Sequence, residues 1–501
     1  MNPLKKLAGQ TAVYGLSTIV GRLLNYLLVP LYTYQFADPR DYGVVTEFYA
    51  YLSFLNIVLL YGMETALFNF SAKRDDTETV FGTAQASILV TSLGFLAAGL
   101  YGSEPLAVLL RHPEHADYVR WTVWVLALDA LAAIPFARLR LQQRAGRFAA
   151  LKLANIGVNI AVNLLFIGAA KWAYDHPHDS EWPELAGWYD PAIGVGYVFI
   201  ANLAASAVTL LLLVPQLFER NARIDLVLWR NMLGYGLPLL IAGLAGMVNE
   251  TLDRVLLKYL LPPDQGLLQL GIYGACYKVA VLMSIFIQAY RYAAEPFFFA
   301  LYRQKEGREL YALTMNGFVI ACSAIFLGVM VNLGWIQYFV GAAYREGLGV
   351  VPILLLANLC LGVFFNLSIW YKLTEQTRYG SYLTLWGAAL TLGLNWYWIP
   401  RIGYWGSAWA TLICYASMAV LSYAIGQRHF PVAYRLKRLL GYPSMAAALA
   451  GLAMSIQELP FWADLAVRNT LLVVFLAGVW TVERLARRRG SLTAGEGKRI
   501  S

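Results

Sequence analysis

Charge is scarce in this chain. Asp, Glu, Lys and Arg make up 14% of its 501 residues, against roughly 25% in a soluble globular protein. Cysteine occurs four times and histidine five times. Cys276, Cys322, Cys360 and Cys414 all lie in apolar stretches without CxxC or Cys/His spacing, which excludes a disulfide framework and a metal finger. No Walker motif occurs, which excludes P-loop ATP hydrolysis. No polar stretch is long enough to hold a catalytic domain, so the chain reads as a non-enzyme with no catalytic residues. Lys5 and Lys6 precede a long apolar segment that lacks a small-residue cleavage site, so that segment reads as an uncleaved first span.

Apolar residues are abundant instead: 59% of the chain, with a mean hydropathy of +0.53. A single soluble core cannot absorb that much apolar surface, which excludes a soluble enzyme, a nucleic-acid-binding domain and a disordered chain. A membrane span needs about 20 largely apolar residues. Fourteen segments qualify, at 10–36, 42–70, 80–102, 119–140, 148–171, 191–215, 231–258, 271–299, 310–334, 349–371, 379–400, 402–426, 438–457 and 466–484. The expected class is therefore an all-α, polytopic membrane protein. Basic residues test the count: with an internal N-terminus, 26 of the 39 Lys and Arg fall in cytoplasmic segments and 8 in external ones, Lys258 among the latter. That bias predicts both termini on the cytoplasmic side, and places the net charge of +9 against anionic lipid. The polar tail from Ser491 to Ser501 is expected to be disordered.

An internal repeat organises the spans. Tyr42, Gly43, Glu47 and Glu64 recur as Tyr273, Gly274, Lys278 and Glu295, each 231 residues on, and Arg147 recurs as Arg378. Asn163 and Asn395 differ by 232, while Tyr14-Gly15-Leu16 and Tyr235-Gly236-Leu237 differ by 221. The change of offset places ten extra residues in the second half's first external loop. The expected architecture is two pseudo-symmetric six-helix lobes, 1–225 and 226–430, with two added helices over 431–486 and a cytoplasmic tail at 487–501. An even helix number per half relates the lobes by an axis along the membrane normal, around a central cavity. Helices 1, 2, 7 and 8 should line it, with Glu47 and Lys278 at corresponding places.

Charges inside apolar spans are expensive and mark cavities or partners. They are Arg22, Lys152, Arg254, Lys278 and Arg291, against Glu47, Glu64, Asp129, Glu250, Asp253 and Glu295. Arg22, with Asn25 one turn on, lies near mid-helix, and Asp129 is the same-half acid at similar depth that would hold it. Glu250 and Arg254 are four apart, in the favourable acid-before-base order; Arg291 and Glu295 have the reverse order. Asp38 and Asp41, in the run DPRD, read equally as a turn before a helix or as an acidic sugar-nucleotide site. The external stretch 173–190 holds Asp175, His176, His178, Asp179 and Glu181 without repeated ligand spacing, so no metal is expected.

The runs LAGQTAVYGLSTIVGRLLNYLLVPLYT and DYGVVTEFYAYLSFLNIVLLYGMETALFNF, with GLPLLIAGLAGMVNETLDRVLLKYLL and IYGACYKVAVLMSIFIQAYRYAAEPFF, resemble the Wzx-type polysaccharide flippases of the multidrug/oligosaccharidyl-lipid/polysaccharide exporter superfamily. Asp253-Arg254 matches that family's acid–Arg pair, and Tyr273, Gly274 and Lys278 match its eighth-helix start. The resemblance implies an alternating-access transporter in the cytoplasmic (inner) membrane that moves polyprenyl-(pyro)phosphate-linked oligosaccharide for polysaccharide, lipopolysaccharide or O-antigen synthesis. Its partners would be the lipid-linked glycan, membrane lipids and polysaccharide assembly proteins, not nucleic acid. Candidate substrate-binding residues are Arg22, Asn25, Lys278 and Arg291. Candidates for ion coupling or charge pairing are Glu47, Asp129, Glu250, Asp253 and Arg254. No cofactor is expected beyond Na⁺ or H⁺ as coupling ion. The alternatives are a lipid II flippase of the MurJ type, a multidrug antiporter of the same superfamily, and a membrane glycan polymerase or ligase.

Overall fold

The computed structural model describes residues 15, 19–180, 182–217, 223–303, 308–456 and 460–497, without the side chains of 295–297, 299–303 and 487–497. Lys5, Lys6, Tyr14, Leu16, Glu181, Arg220, Lys305, Lys498, Arg499 and the side chain of Glu295 lie outside the described residues.

The described residues are helical, with no strand among them. Fourteen long helices fall at the expected places. They are α1 (19–26 and Leu28–Gln35), α2 (Pro39–Ser71), α3 (Thr77–Tyr101), α4 (Ala116–Leu141), α5 (Ala145–Asp175), α6 (Gly196–Leu217) and α7 (Leu226–Leu260). They continue with α8 (Pro263–Arg303), α9 (Arg308–Val331), α10 (Ala342–Leu373), α11 (Arg378–Ile402), α12 (Tyr404–His429), α13 (Leu436–Ser455) and α14 (Phe461–Gly497). Over the described residues, eleven of them, all but α1, α11 and α13, are long and apolar enough to cross a membrane. The protein is a multi-pass membrane protein.

Acidic caps set several helix starts. Asp38 accepts from the Arg40 backbone N–H at 2.8 Å, with Pro39 opening α2, so DPRD is a helix start. Asp76 does the same for α3 and Asp225 for α7. Two expectations are corrected. The ten extra residues of the second half do not form a loop: α7 ends at Leu260 and α8 begins at Pro263, where proline suits a first helical turn, so the extra length is helix. The tail expected to be disordered continues α14 as helix to Gly497, because nothing between Arg484 and Gly497 is a proline that would stop it.

The two halves of the repeat also differ at a break in α2. α2 breaks at Tyr61 and Gly62, both with left-handed backbone (φ 30° and 75°). At the equivalent place α8 has Tyr292-Ala293 and runs unbroken. Alanine disfavours the left-handed region that glycine enters freely.

Helices α3, α4, α6 and α5 pack in series, with α2 against α4; α7, α11, α12, α10 and α8 form a second series. α13 and α14 lie on α9. Glu483 of α14 secures them: it accepts from Arg438 at 3.0 and 3.1 Å, Tyr442 at 2.5 Å and Asn316 at 3.0 Å. The two series meet where α2 runs beside α7 and crosses α8. The α2–α8 crossing is backbone-close: a Cβ on Gly43 would stand 2.2 Å from the Leu267 carbonyl oxygen. It lies at the end of the molecule poorer in basic residues, here termed the less basic face.

Candidate inter-half site

Helical periodicity places the mid-span charges. On α7, Gly236, Gly243, Glu250, Arg254 and Lys258 recur at seven- and four-residue steps and so share a stripe. That stripe touches α2 where Gly236 meets Tyr61 and Gly62, where Gly243 meets Ile57, and where Lys258 meets Glu47. Glu250 and Arg254 therefore face the first half. On α1, Gly15, Arg22, Tyr26 and Thr33 form a similar stripe. Gly15 contacts Tyr292, Tyr26 stacks on Phe339 at 4.3 Å, and Thr33 accepts from the Gly341 N–H at 3.0 Å. Arg22 accordingly points toward the second half, with Asn25 beside it, and both are exposed.

Arg254 lies over the Tyr277 ring at 4.6 Å, and Lys278 is close enough to feel its charge. Further along α8, Arg291 stacks over Phe365 at 3.9 Å. Among the described residues, none of Arg22, Arg254, Lys278 and Arg291 forms an ion pair within 4.0 Å. Asp253 is buried and occupied otherwise, accepting from the Tyr273 hydroxyl at 2.7 Å and the Arg254 N–H at 2.9 Å.

Three pairings differ from expectation. Glu250 and Arg254 share a face without bridging, because Arg254 turns to the Tyr277 ring. Asp129 does not hold Arg22: it accepts from Ser206 of α6 at 2.6 Å and faces Lys152 of α5 within its own half. Glu47 does not line a cavity alongside Lys278. It is fully buried, because it is matched by an ion cluster across the seam.

That cluster was not legible locally. Lys258, assigned by sequence to an external loop, ends α7 with its ammonium 2.6 Å from Glu47 Oε1. His112 Nε2, from the segment between α3 and α4, lies 2.9 Å from Glu47 Oε2 and 2.9 Å from Lys258 Nζ. Tyr51 donates to Glu47 at 2.6 Å and meets Tyr259 at 2.9 Å. Residues 47 and 258 are 211 apart; the available signal was the cost of leaving Glu47 unpaired in a span. At the opposite end the seam is held by an exposed Arg74–Asp225 pair at 3.5 Å. Among the described residues no three metal-ligating side chains gather.

The model of the family described as polysaccharide biosynthesis protein matches residues 7–302. No curated protein matches the chain by sequence. The fold is similar to that of a lipid II flippase MurJ in an inward closed conformation, with a TM-score of 0.67, 11% identity, and coverage of 94% of this chain and 99% of that one. It is also similar to an inward-facing multidrug resistance MATE transporter of the MOP superfamily, with a TM-score of 0.63, 14% identity, and coverage of 87% and 99%. For an outward-facing MATE transporter of that superfamily the TM-score is 0.54 at 13% identity, with coverage of 89% and 99%. The chain thus has the fold of these transporters.

Proposed function

Because the chain belongs to the polysaccharide biosynthesis protein family, we propose that it is a flippase for polyprenyl-(pyro)phosphate-linked oligosaccharide, working by alternating access in the cytoplasmic membrane. The basic face is then cytoplasmic, with both termini on that side. Four cations support this reading: Arg22, Arg254, Lys278 and Arg291 stand on helices that meet between the two halves, without ion-pair partners among the described residues. Each would cost about 2.5–3.5 kcal/mol at the bilayer centre. A diphosphate between the halves offsets that cost through charged hydrogen bonds, and the Tyr277 and Phe365 rings beside Arg254 and Arg291 offer stacking faces for sugars. One acid, Glu47, Asp129 or Asp253, couples the motion to H⁺ or Na⁺.

The test is glycan export in cells lacking their own flippase, with membrane levels of each variant measured alongside. Arg254→Ala with Lys278→Ala should lower export tenfold or more at normal insertion. Full export by that double variant overturns the diphosphate site. A second reading follows from α13 and α14, which extend the match to the lipid II flippase over 94% of the chain: the glycan carried is a lipid-linked peptidoglycan precursor. Supplying each lipid-linked donor to proteoliposomes separates the two.

A further inference from the structure

Resting on the alternating-access reading above, we infer that Glu47, Lys258 and His112 form a proton-sensitive latch holding the two halves together at the less basic face, with His112 as its proton acceptor. The three groups are 0%, 3% and 7% exposed and mutually within 2.9 Å. Glu47 and His112 belong to the first half of the repeat and Lys258 to the second, so the latch must break if the halves part there.

The donor count makes His112 the sensitive member. An ammonium has three N–H groups, and those of Lys258 are directed at Glu47 Oε1, the Leu110 carbonyl and His112 Nε2. Nε2 lies equally near Lys258 Nζ, a donor, and Glu47 Oε2, an acceptor. With a neutral ring carrying its proton on Nδ1, Nε2 accepts from Lys258 and all three ammonium protons are matched. Binding one more proton places it on Nε2. That N–H now donates to Glu47, Lys258 loses an acceptor, and two cations flank one buried carboxylate. Uncompensated buried charge is costly, and water relieves it.

The charged or titratable groups around this imidazole are Glu47 and Tyr51 from α2, Lys258 and Tyr259 from α7, and Arg111, Glu114 and His115 from its own segment, the last donating its backbone N–H to the His112 carbonyl at 3.0 Å. Arg111, over the Tyr259 ring at 5.1 Å, adds a third positive charge. Phe48 covers the ring at 5.7 Å. The proton arrives from water on the less basic face, since His112 lies between exposed Arg111 and exposed Pro113. Acid on that face should therefore favour opening.

The test uses the full chain in proteoliposomes, spin-labelled through Glu114→Cys and Gln265→Cys, two exposed sites on opposite halves near the latch. Lowering the pH from about 7.5 to about 5.5 should lengthen the distance by about 5 Å, one helical turn. His112→Gln should abolish the pH response, and Lys258→Met should give the long distance at both pH values. A pH response that survives His112→Gln overturns the proton role. A short distance retained by Lys258→Met overturns the latch, and Glu47→Gln, which keeps the shape of the side chain, repeats that measurement independently. No glycan is needed, so these distances can fail while export succeeds, or hold while export fails; the second outcome removes only the proposed substrate.

Discussion

Gly62 of α2 and Gly236 of α7 pack backbone against backbone: a Cβ on Gly62 would stand 2.6 Å from the Gly236 carbonyl oxygen, and one on Gly236 would stand 2.6 Å from that of Tyr61. The break in α2 and the seam between the halves are therefore one feature. Gly62 supplies the left-handed turn, and the absent side chain at 236 admits the carbonyl that the turn projects.

Gly62→Ala should destabilise the protein by about 1–3 kcal/mol, from backbone strain and the contact with Gly236 together. A thermal melt in detergent measures this as a lower midpoint. Gly94→Ala is the matched control. Its added methyl meets nothing within 4 Å in mid-helix, so the midpoint should hold or rise.

Arg22 and Asp129 do not pair, so neutralising both should not restore function. Arg22→Leu with Asp129→Leu is expected to export no better than Arg22→Leu alone. Arg22→Lys should retain part of the activity, because the charge survives while the bidentate fork does not. Export close to wild type by the double variant would point back to a structural ion pair.

Topology is open to a direct measurement. A reporter fused after Pro183 should read external and one after Arg144 cytoplasmic, because basic residues concentrate on the Arg144 side. Both fusions reading the same side would remove the fourteen-span arrangement.

Asp225 predicts a pH effect at the start of α7. Its carboxyl is held below the ordinary carboxylate range, first by the Leu228 N–H, then by the Val227 N–H and Arg74. A depressed folded-state pKa means that the stabilisation is present above the unfolded value of about 3.9 and is lost as pH falls through the lower folded value. Hydrogen exchange at Val227 and Leu228, normalised for intrinsic rate, should accelerate in acid. Asp225→Asn, neutral but still an acceptor, should show the acid behaviour already at neutral pH, and Asp225→Ala, which removes the acceptor, should exchange faster still at every pH.

Sequence by itself determined the fourteen helices, because a lipid solvent makes twenty apolar residues and an internally satisfied backbone the same requirement. It also offered Asp38 as the start of α2, one of two readings of DPRD, whereas the caps at Asp76 and Asp225 were found only in the structure. The repeat was legible too, in the residues that recur 231 positions on. Partner choice was not. Arg22 has an acid at its depth in Asp129, yet Ser206 occupies that carboxylate; Glu250 stands one turn from Arg254, yet the Tyr277 ring takes the guanidinium. Lys258 looked like a loop base and became the buried counter-ion of Glu47. Local spacing says which side chains share a face of one helix, but the groups facing it depend on how two helices distant in sequence cross. Only tertiary packing sets that crossing, here through backbone contacts at Gly43, Gly62 and Gly236.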